Sequence, residues 1–579
     1  MKTNFIKSSK IISFLFLLIT ILLLANCGGK EVKNPADMVL INGKIATVED
    51  FLPIAQAIAI KGDTILAVGS NEEIQNFVGD STNVIDLGGK FVMPGFIESH
   101  AHFIGLGESL INVDLRPARN WDEVIAMVAK AAEKSRPGQW IVGRGWHQEK
   151  FDPKPEPNVN GYPVHSMLSS AAPNNPVMLS HASGHAVFAN ARAMQIAGIN
   201  KSTKNPDGGT IVRDSTGNPI GVFEENAENL IRNFYDEFLS KRTAEQIRSD
   251  YIKKIQLASD ECLKKGITSF TDAGEPFDVI DILKQLADSS KLKVRLNVMI
   301  GDSLSAMRKK LADYRLIEYG NNFLNVRSIK QYIDGALGSR GAWMIEPYSD
   351  LPDHYGSNVT PLNILKEVAE LAIKNNFQMC VHAIGDRGNF EVLNLYAEIF
   401  SEHPGKKDLR WRIEHAQHVT EPDIKRFAKL GVVAAIQSIH CTSDATFVPV
   451  RIGDTRAKEE SYAWKKFIDA GVVVCNGTDA PVEDVDPIKC FYAAVTRRLA
   501  DGSVFYPEQK MSRMEAVKSY TINGAFAAFE ENIKGSLKPG KLADIVVLSN
   551  DLLNCGESDI LQTKILYTIV GGNILYKAQ

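Results

Sequence analysis

Short apolar runs separated by turn residues mark both ends of the chain. Met38-Val39-Leu40-Ile41 leads through Asn42-Gly43-Lys44 into Ile45-Ala46-Thr47-Val48, and Ala57-Ile58-Ala59-Ile60 turns at Lys61-Gly62-Asp63 into Thr64-Ile65-Leu66-Ala67-Val68. Runs bounded in this way by Asn, Gly and Asp predict strands joined by tight turns. The same texture returns at Asp544-Ile545-Val546-Val547-Leu548, and at Tyr567-Thr568-Ile569-Val570 before Gly571-Gly572-Asn573. The two ends are therefore expected to pair into one small discontinuous β-sandwich, residues 38–93 with 531–579.

Between the ends the rhythm changes. Strand-like runs such as Gly266-Ile267-Thr268-Ser269-Phe270, Val294-Arg295-Leu296-Asn297-Val298 and Val472-Val473-Val474 alternate with amphipathic helical stretches. That alternation predicts βα units around a parallel sheet, an α/β fold. Several runs end in a polar cluster, which suits a (β/α)8 TIM-like barrel, where chemistry gathers at the C-terminal ends of the strands. The barrel is expected over 94–530. From about Val113 to Phe238 the rhythm is broken by Pro- and Gly-rich text such as Asp152-Pro153-Lys154-Pro155-Glu156-Pro157, read as an insertion after the first barrel strand.

Length agrees with this division, since 579 residues exceed one ordinary domain. A net charge of −4 gives no global basic surface, and Arg308-Lys309-Lys310 is a short run that reads as a solvated helix face, so a nucleic-acid partner is disfavoured. The N-terminus stands apart. Lys2, Lys7 and Lys10 precede an apolar run from Ile11 to Ala25 that is too short for a membrane span and reads as a signal peptide over 1–27. Leu24-Ala25-Asn26-Cys27 resembles a bacterial lipobox, although Asn26 departs from the usual small residue. The expectation is export and anchoring to a cell-envelope membrane through lipid on Cys27, with 28–37 as a tether. An uncleaved anchor or an ordinary signal peptide would also export the chain. The six later cysteines contain no C-x-x-C pair, and several sit in apolar runs as small buried hydrophobes.

The chemistry begins at Pro94-Gly95-Phe96-Ile97-Glu98-Ser99-His100-Ala101-His102. A strand puts residues i and i+2 on one face, so His100 and His102 can converge, as a divalent ion such as zinc requires. An isolated H-x-H pair is weak. Further His or acid positions, however, close strand-like runs in chain order: His382 in Met379-Cys380-Val381-His382, His415 in Arg412-Ile413-Glu414-His415, and Asp479 in Val474-Cys475-Asn476-Gly477-Thr478-Asp479. Their joint occurrence across one βα array outweighs the ordinary reading of each as a hydrogen-bonded core residue.

These stretches resemble the amidohydrolase superfamily. The neighbouring text is similar to its family 3, the YtcJ-like branch that includes N-substituted formamide deformylases. The resemblance is carried by Gly138-Gln139-Trp140-Ile141-Val142-Gly143-Arg144-Gly145-Trp146, by Ser183-Gly184-His185-Ala186-Val187-Phe188-Ala189-Asn190, and by Ile329-Lys330-Gln331-Tyr332-Ile333-Asp334-Gly335-Ala336-Leu337-Gly338-Ser339-Arg340. Val381-His382-Ala383-Ile384-Gly385-Asp386-Arg387 and Gly535-Ser536-Leu537-Lys538-Pro539-Gly540-Lys541-Leu542-Ala543-Asp544 extend it to nearly the whole chain from Met38 onward. It implies that His100 and His102 hold one metal, that His382 and His415 hold a second, and that a carboxylated Lys330 bridges two zinc or similar ions. Asp479 would then move the proton from water to the leaving nitrogen. Arg144, Trp146, His185, Asp334 and Arg340 are implied contributors to the substrate pocket. Gly341 after Ser339-Arg340 and Thr478 before Asp479 depart from the branch's usual text.

The expected activity is hydrolysis of a non-peptide C–N bond in a small-molecule amide, N-formyl, N-acyl or cyclic, by metal-activated water. A mononuclear deaminase or cyclic-amidine hydrolase would keep the histidines and the acid without carboxylation of Lys330. A non-catalytic exported binding lipoprotein is the alternative from another class. Oligomeric state has no sequence signal.

Overall fold

The computed structural model describes residues 34–148, 151–181 and 186–579. The expected leader over 1–27, Cys27 and the pocket candidate His185 lie outside the described residues. Among the described residues, no helix is long and apolar enough to cross a membrane. The chain forms two compact units, one made of residues up to Phe96 with Thr521–Gln579, the other of Ile97–Tyr520.

The first unit contains two sheets. One has four strands in the order Thr64–Gly69, Ala57–Lys61, Met38–Ile41, Asn83–Asp86. The other has six, and in it Phe91–Pro94 pairs antiparallel with Ile545–Leu548, joining early chain to late chain. Leu40, Ile58, Ile60 and Ile65 of one sheet share a core with Ile45, Val92, Ile545, Val547 and Ile569 of the other. Alternation along each strand turns these residues inward and leaves the opposite positions to other surroundings.

The second unit is built on eight strands in consecutive sheet order: β1 (Phe96–Ala101), β2 (Ile267–Glu275), β3 (Arg295–Ile300), β4 (Leu324–Tyr332), β5 (Gln378–Ala383), β6 (Arg412–His415), β7 (Val433–Ile436) and β8 (Val474–Asn476). Every residue of β1, β3, β6, β7 and β8 is buried, as expected of parallel strands covered on both faces. The barrel nearly closes just beyond β8, where Asp479 N donates to His100 O at 2.8 Å and His102 N donates to Ala480 O at 2.8 Å. This is the (β/α)8 architecture that the alternating runs predict. Helices between successive strands cover the outside. The helix Ala244–Lys264 starts at a Thr243–Gln246 capping box. It packs against the helix Phe103–Ile111 at Gly107, where a Cβ would lie 2.1 Å from Lys254 O.

Residues between β1 and β2 hold more than an irregular Pro/Gly-rich loop. Six strands from Val113–Asp114 to Pro219–Glu225 form a mixed sheet with helices of its own. Its core packs Trp121, Trp146, Phe151 and Phe188 with Val124, Val128 and Leu179. The Pro and Gly residues break periodicity at the turns of this subdomain and conceal the short strands between them.

Candidate metal centre and active site

All six side chains that the sequence reading nominated as ligands or proton carrier lie at or just beyond the C-terminal ends of β1, β4, β5, β6 and β8. The tightest group is His100, His102 and Asp479, whose potential donor atoms lie within 4.8 Å of one another. His102 Nε2 and His100 Nε2 stand 3.3 and 3.6 Å from Asp479 Oδ1. Lys330 Nζ lies 3.4 Å from His100 Nε2. The His415 ring packs 4.9 Å from that of His100 and 4.4 Å from that of His382 between centroids. His415 and Asp479 take left-handed backbone angles, φ +72° and +57°, which turn the chain sharply at the strand ends. Such conformations cost about 1–3 kcal/mol each and persist where the surroundings fix them.

Burial sets the protonation of this cluster. Desolvation, reinforced by the Lys330 charge, lowers His100 to about 4 and His382 to about 3, so both are neutral near pH 7 with a lone pair available. Desolvation also pushes Lys330 below the usual lysine range, toward the nucleophilic free amine. Burial works against Asp479 ionising, but the nearby imidazoles of His102, His100 and His415 hold its carboxyl well below the usual range.

Glu414 completes the arrangement, and the sequence reading passed over it. Arg412 Nε and Nη2 grip its two oxygens at 2.7 and 2.8 Å, and Glu414 Oε2 contacts His100 Nδ1. Burial opposes ionisation of Glu414, yet Arg412 and His100 bring it down to about 2. A carboxylate on Nδ1 holds the proton there and leaves Nε2 as the free donor. Arg412 Nη2 also donates to Ser99 O at 2.8 Å, linking β6 to β1. The available signal was local, because Arg412 and Glu414 alternate onto one face of β6. Glu98 behaves differently: burial raises it to about 8, while its Oε1 accepts from Thr478 N and His100 N.

Several inward buried atoms have no hydrogen-bond partner among the described residues: His382 Nε2, His415 Nδ1 and Asp479 Oδ1. Buried polar atoms are normally satisfied, so three bare ones at one locus fit a cation that would use them. The donor set of neutral imidazoles and a carboxylate suits a divalent transition ion.

The pocket candidates divide. Arg340 is partly exposed and engages Asp350 at 2.7 Å, beside Arg451. Arg144 is exposed on the insertion sheet. Trp146 does not line an open pocket: it is fully buried in the insertion core, where its Nε1 donates to Leu179 O at 2.8 Å. Asp334 is likewise a scaffold group, because its carboxylate accepts from Trp343 N, Ile384 N and Gly385 N at 2.9, 3.0 and 2.8 Å. Gly341 packs against Gly335, where an added Cβ would lie 3.4 Å from Gly341 Cα. A cavity of about 370 Å³ lined by Gly274, Gly301, Asp302, Ser303, Lys330, Gln331 and Tyr332 opens beside the cluster at the ends of β2, β3 and β4.

Fold and site together define a metal-dependent hydrolase. An uncharacterized metal-dependent hydrolase from Pyrococcus furiosus superposes with a TM-score of 0.71 at 27% identity, over 89% of this chain and 100% of that one. The sequence model of the amidohydrolase family matches residues 83–576, and the chain belongs to that family. It is similar to Protein LONG AFTER FAR-RED 3 of Arabidopsis thaliana, 33% identical over 93% of this chain and 92% of the relative. It is also similar to N-substituted formamide deformylase of Arthrobacter pascens, 27% identical over 93% and 98% of the two chains.

Proposed function

We propose that the protein hydrolyses a non-peptide amide-type C–N bond, of the N-formyl or N-acyl class, in a site that takes two divalent ions such as zinc. The observation that carries this reading is the convergence of His100, His102, Lys330, His382, His415 and Asp479 with bare inward atoms at one end of the barrel. The similarity to a formamide deformylase supports the substrate class. His100 and His102 would hold one ion and His382 and His415 the other. Burial beside His100 lowers the Lys330 ammonium's hold on its proton, which would favour uptake of CO2 as a carbamate able to serve both ions. Metal ions bound there would lower the pKa of water toward about 7 and polarise the carbonyl.

The chain's own part is proton handling and orientation. Asp479 is ionised and is held within 3.6 Å of His100 in β1 and His102 just beyond it. Its Oδ1 accepts a proton from the attacking water and returns it to the departing nitrogen, which then leaves as a neutral amine. The Arg412–Glu414 pair holds His100 in one tautomer throughout. Cleavage yields one carboxylic acid and one amine per water consumed.

The test is metal content per chain together with amine release from a panel of N-formyl and N-acyl amines. About two equivalents of metal in the wild type, and at least a 100-fold loss of kcat per metal-loaded chain in Asp479→Asn, are expected. One equivalent with full activity would favour a mononuclear centre at His100, His102 and Asp479 and would remove the bridging role of Lys330. No turnover by the fully loaded protein would overturn the hydrolytic assignment for this panel.

A further inference from the structure

The strands β2, β3 and β7 supply none of the six nominated side chains, yet β7 is followed at once by a histidine beside the site. His440 begins the short helix His440–Ser443, just past β7. It is 8% exposed. Its ring lies nearly parallel to that of His415, with centroids 6.2 Å apart and planes 8° apart. It is close enough to Asp479 to contribute to that carboxylate's electrostatic environment. His440 therefore occupies the β6–β8 side of the centre, whereas the 370 Å³ cavity opens on the β2–β4 side.

Among the described residues, none engages its outer ring nitrogen. The backbone of His440 is satisfied, with its amide donating to Gln437 O at 3.1 Å and its carbonyl accepting from Asp444 N at 2.8 Å. The Nε2 atom, however, is buried with no hydrogen-bond partner. Polar groups nearby are committed elsewhere: Asp444 accepts from Tyr462 Oη at 2.6 Å, and Tyr462 Oη accepts from Gln417 Nε2 at 2.7 Å. A buried polar atom left without a partner costs about 1–3 kcal/mol, a standing cost that a contact with bound substrate would relieve. The tight group of potential metal donors comprises His100, His102 and Asp479 and does not include His440. Asp479 already provides a proton acceptor.

We propose that His440 is a further catalytic residue, whose Nε2–H donates a hydrogen bond to the carbonyl oxygen of the scissile amide as that oxygen gains charge. The role rests on the hydrolase reading above. Imidazole with its proton on Nε2 is a good neutral donor, and a preorganised donor at a developing oxyanion is worth about 100- to 1,000-fold in kcat. No proton changes hands in this contact. His440 strengthens a bond that is weak to the ground-state carbonyl and strong to the attacked one.

The experiment compares wild type with His440→Ala, His440→Gln and His440→Asn on p-nitroformanilide and p-nitroacetanilide, measuring kcat, KM and metal per chain. The Ala variant is expected to lose about 100-fold or more in kcat, with KM within about threefold and metal content unchanged. Gln, whose amide nitrogen reaches the place of Nε2, should recover about tenfold, and Asn, which reaches only as far as Nδ1, should not. A loss of metal in step with activity would overturn the proposal in favour of a prop for His415. A rise in KM at constant kcat would overturn it in favour of a pocket wall. If the metal-loaded wild type cleaves neither anilide, the hydrolase reading fails on these probes, and calorimetric binding of phenylphosphonate still reads His440. A weaker Kd in the Ala variant then supports the donor, and an unchanged Kd overturns it.

Discussion

Single residues in this site act mainly by holding others. Glu414 touches neither water nor the cavity, yet it sits between Arg412 and His100, both fully buried. Replacing Glu414 with Gln would leave the Arg412 guanidinium buried without its counter-charge and His100 free to change tautomer. The expected outcome is a loss of about 3–5 kcal/mol in denaturant-derived stability and a 10- to 100-fold weaker metal affinity by competition with a chelator. A Gln variant that kept both values would show the pair to be dispensable. Sequence marked His415 as a histidine at a strand end. Glu414 was visible beside it but had no partner until β1 and β6 were folded against each other, because its contact with His100 spans 314 positions.

At the scale of elements, two glycines show where close approach does the work. Gly477 follows β8 where the barrel closes, and a Cβ there would lie 2.2 Å from Glu98 Oε1 and 2.6 Å from His100 N. Neither backbone nor a buried carboxyl can move aside cheaply, so Gly477→Ala is expected to shift β1 against β8. Metal content and thermal midpoint should fall together. Gly107 lies in a different junction, between two outer helices, with Lys254 O 2.1 Å from the added Cβ. Gly107→Ala should lower stability by about 1–3 kcal/mol while the protein still binds metal once folded. If Gly107→Ala lost metal without losing stability, or Gly477→Ala lost neither, the division between closure and packing would be wrong. The sequence marks both glycines only as small residues. Their constraint comes from a neighbour far along the chain.

For the whole molecule, the cysteines distinguish a packed interior from a cross-linked one. Among the described residues, Cys262, Cys380, Cys441, Cys475 and Cys490 are buried and form no disulfide, and Cys555 is partly exposed. Burial pushes the Cys380 and Cys475 thiols up, the latter to about 11, so neither offers a thiolate at neutral pH. In a Cys27→Ser protein without reductant, one thiol should therefore react with a thiol reagent under native conditions. All six should react after denaturation. Fewer than six in denaturant would reveal a disulfide and contradict the free-thiol interior.

What the sequence determined by itself is what short-range periodicity can encode. Period-two and helical apolar rhythms specified the strands and helices of an α/β barrel, and the positions of His100, His102, His382, His415 and Asp479 at the ends of apolar runs nominated them as a set. The tertiary structure decided the rest. It turned the Pro/Gly-rich stretch after β1 into a subdomain with its own sheet and placed Trp146 in that core. It gave the Asp334 carboxylate to three backbone amides, and it brought Glu414 and His440 to the candidate metal site. The reason is physical: a strand's alternation fixes which way a side chain faces, a local property. Which partner it meets depends on strand order, register and barrel closure, and these are set by contacts between residues hundreds of positions apart.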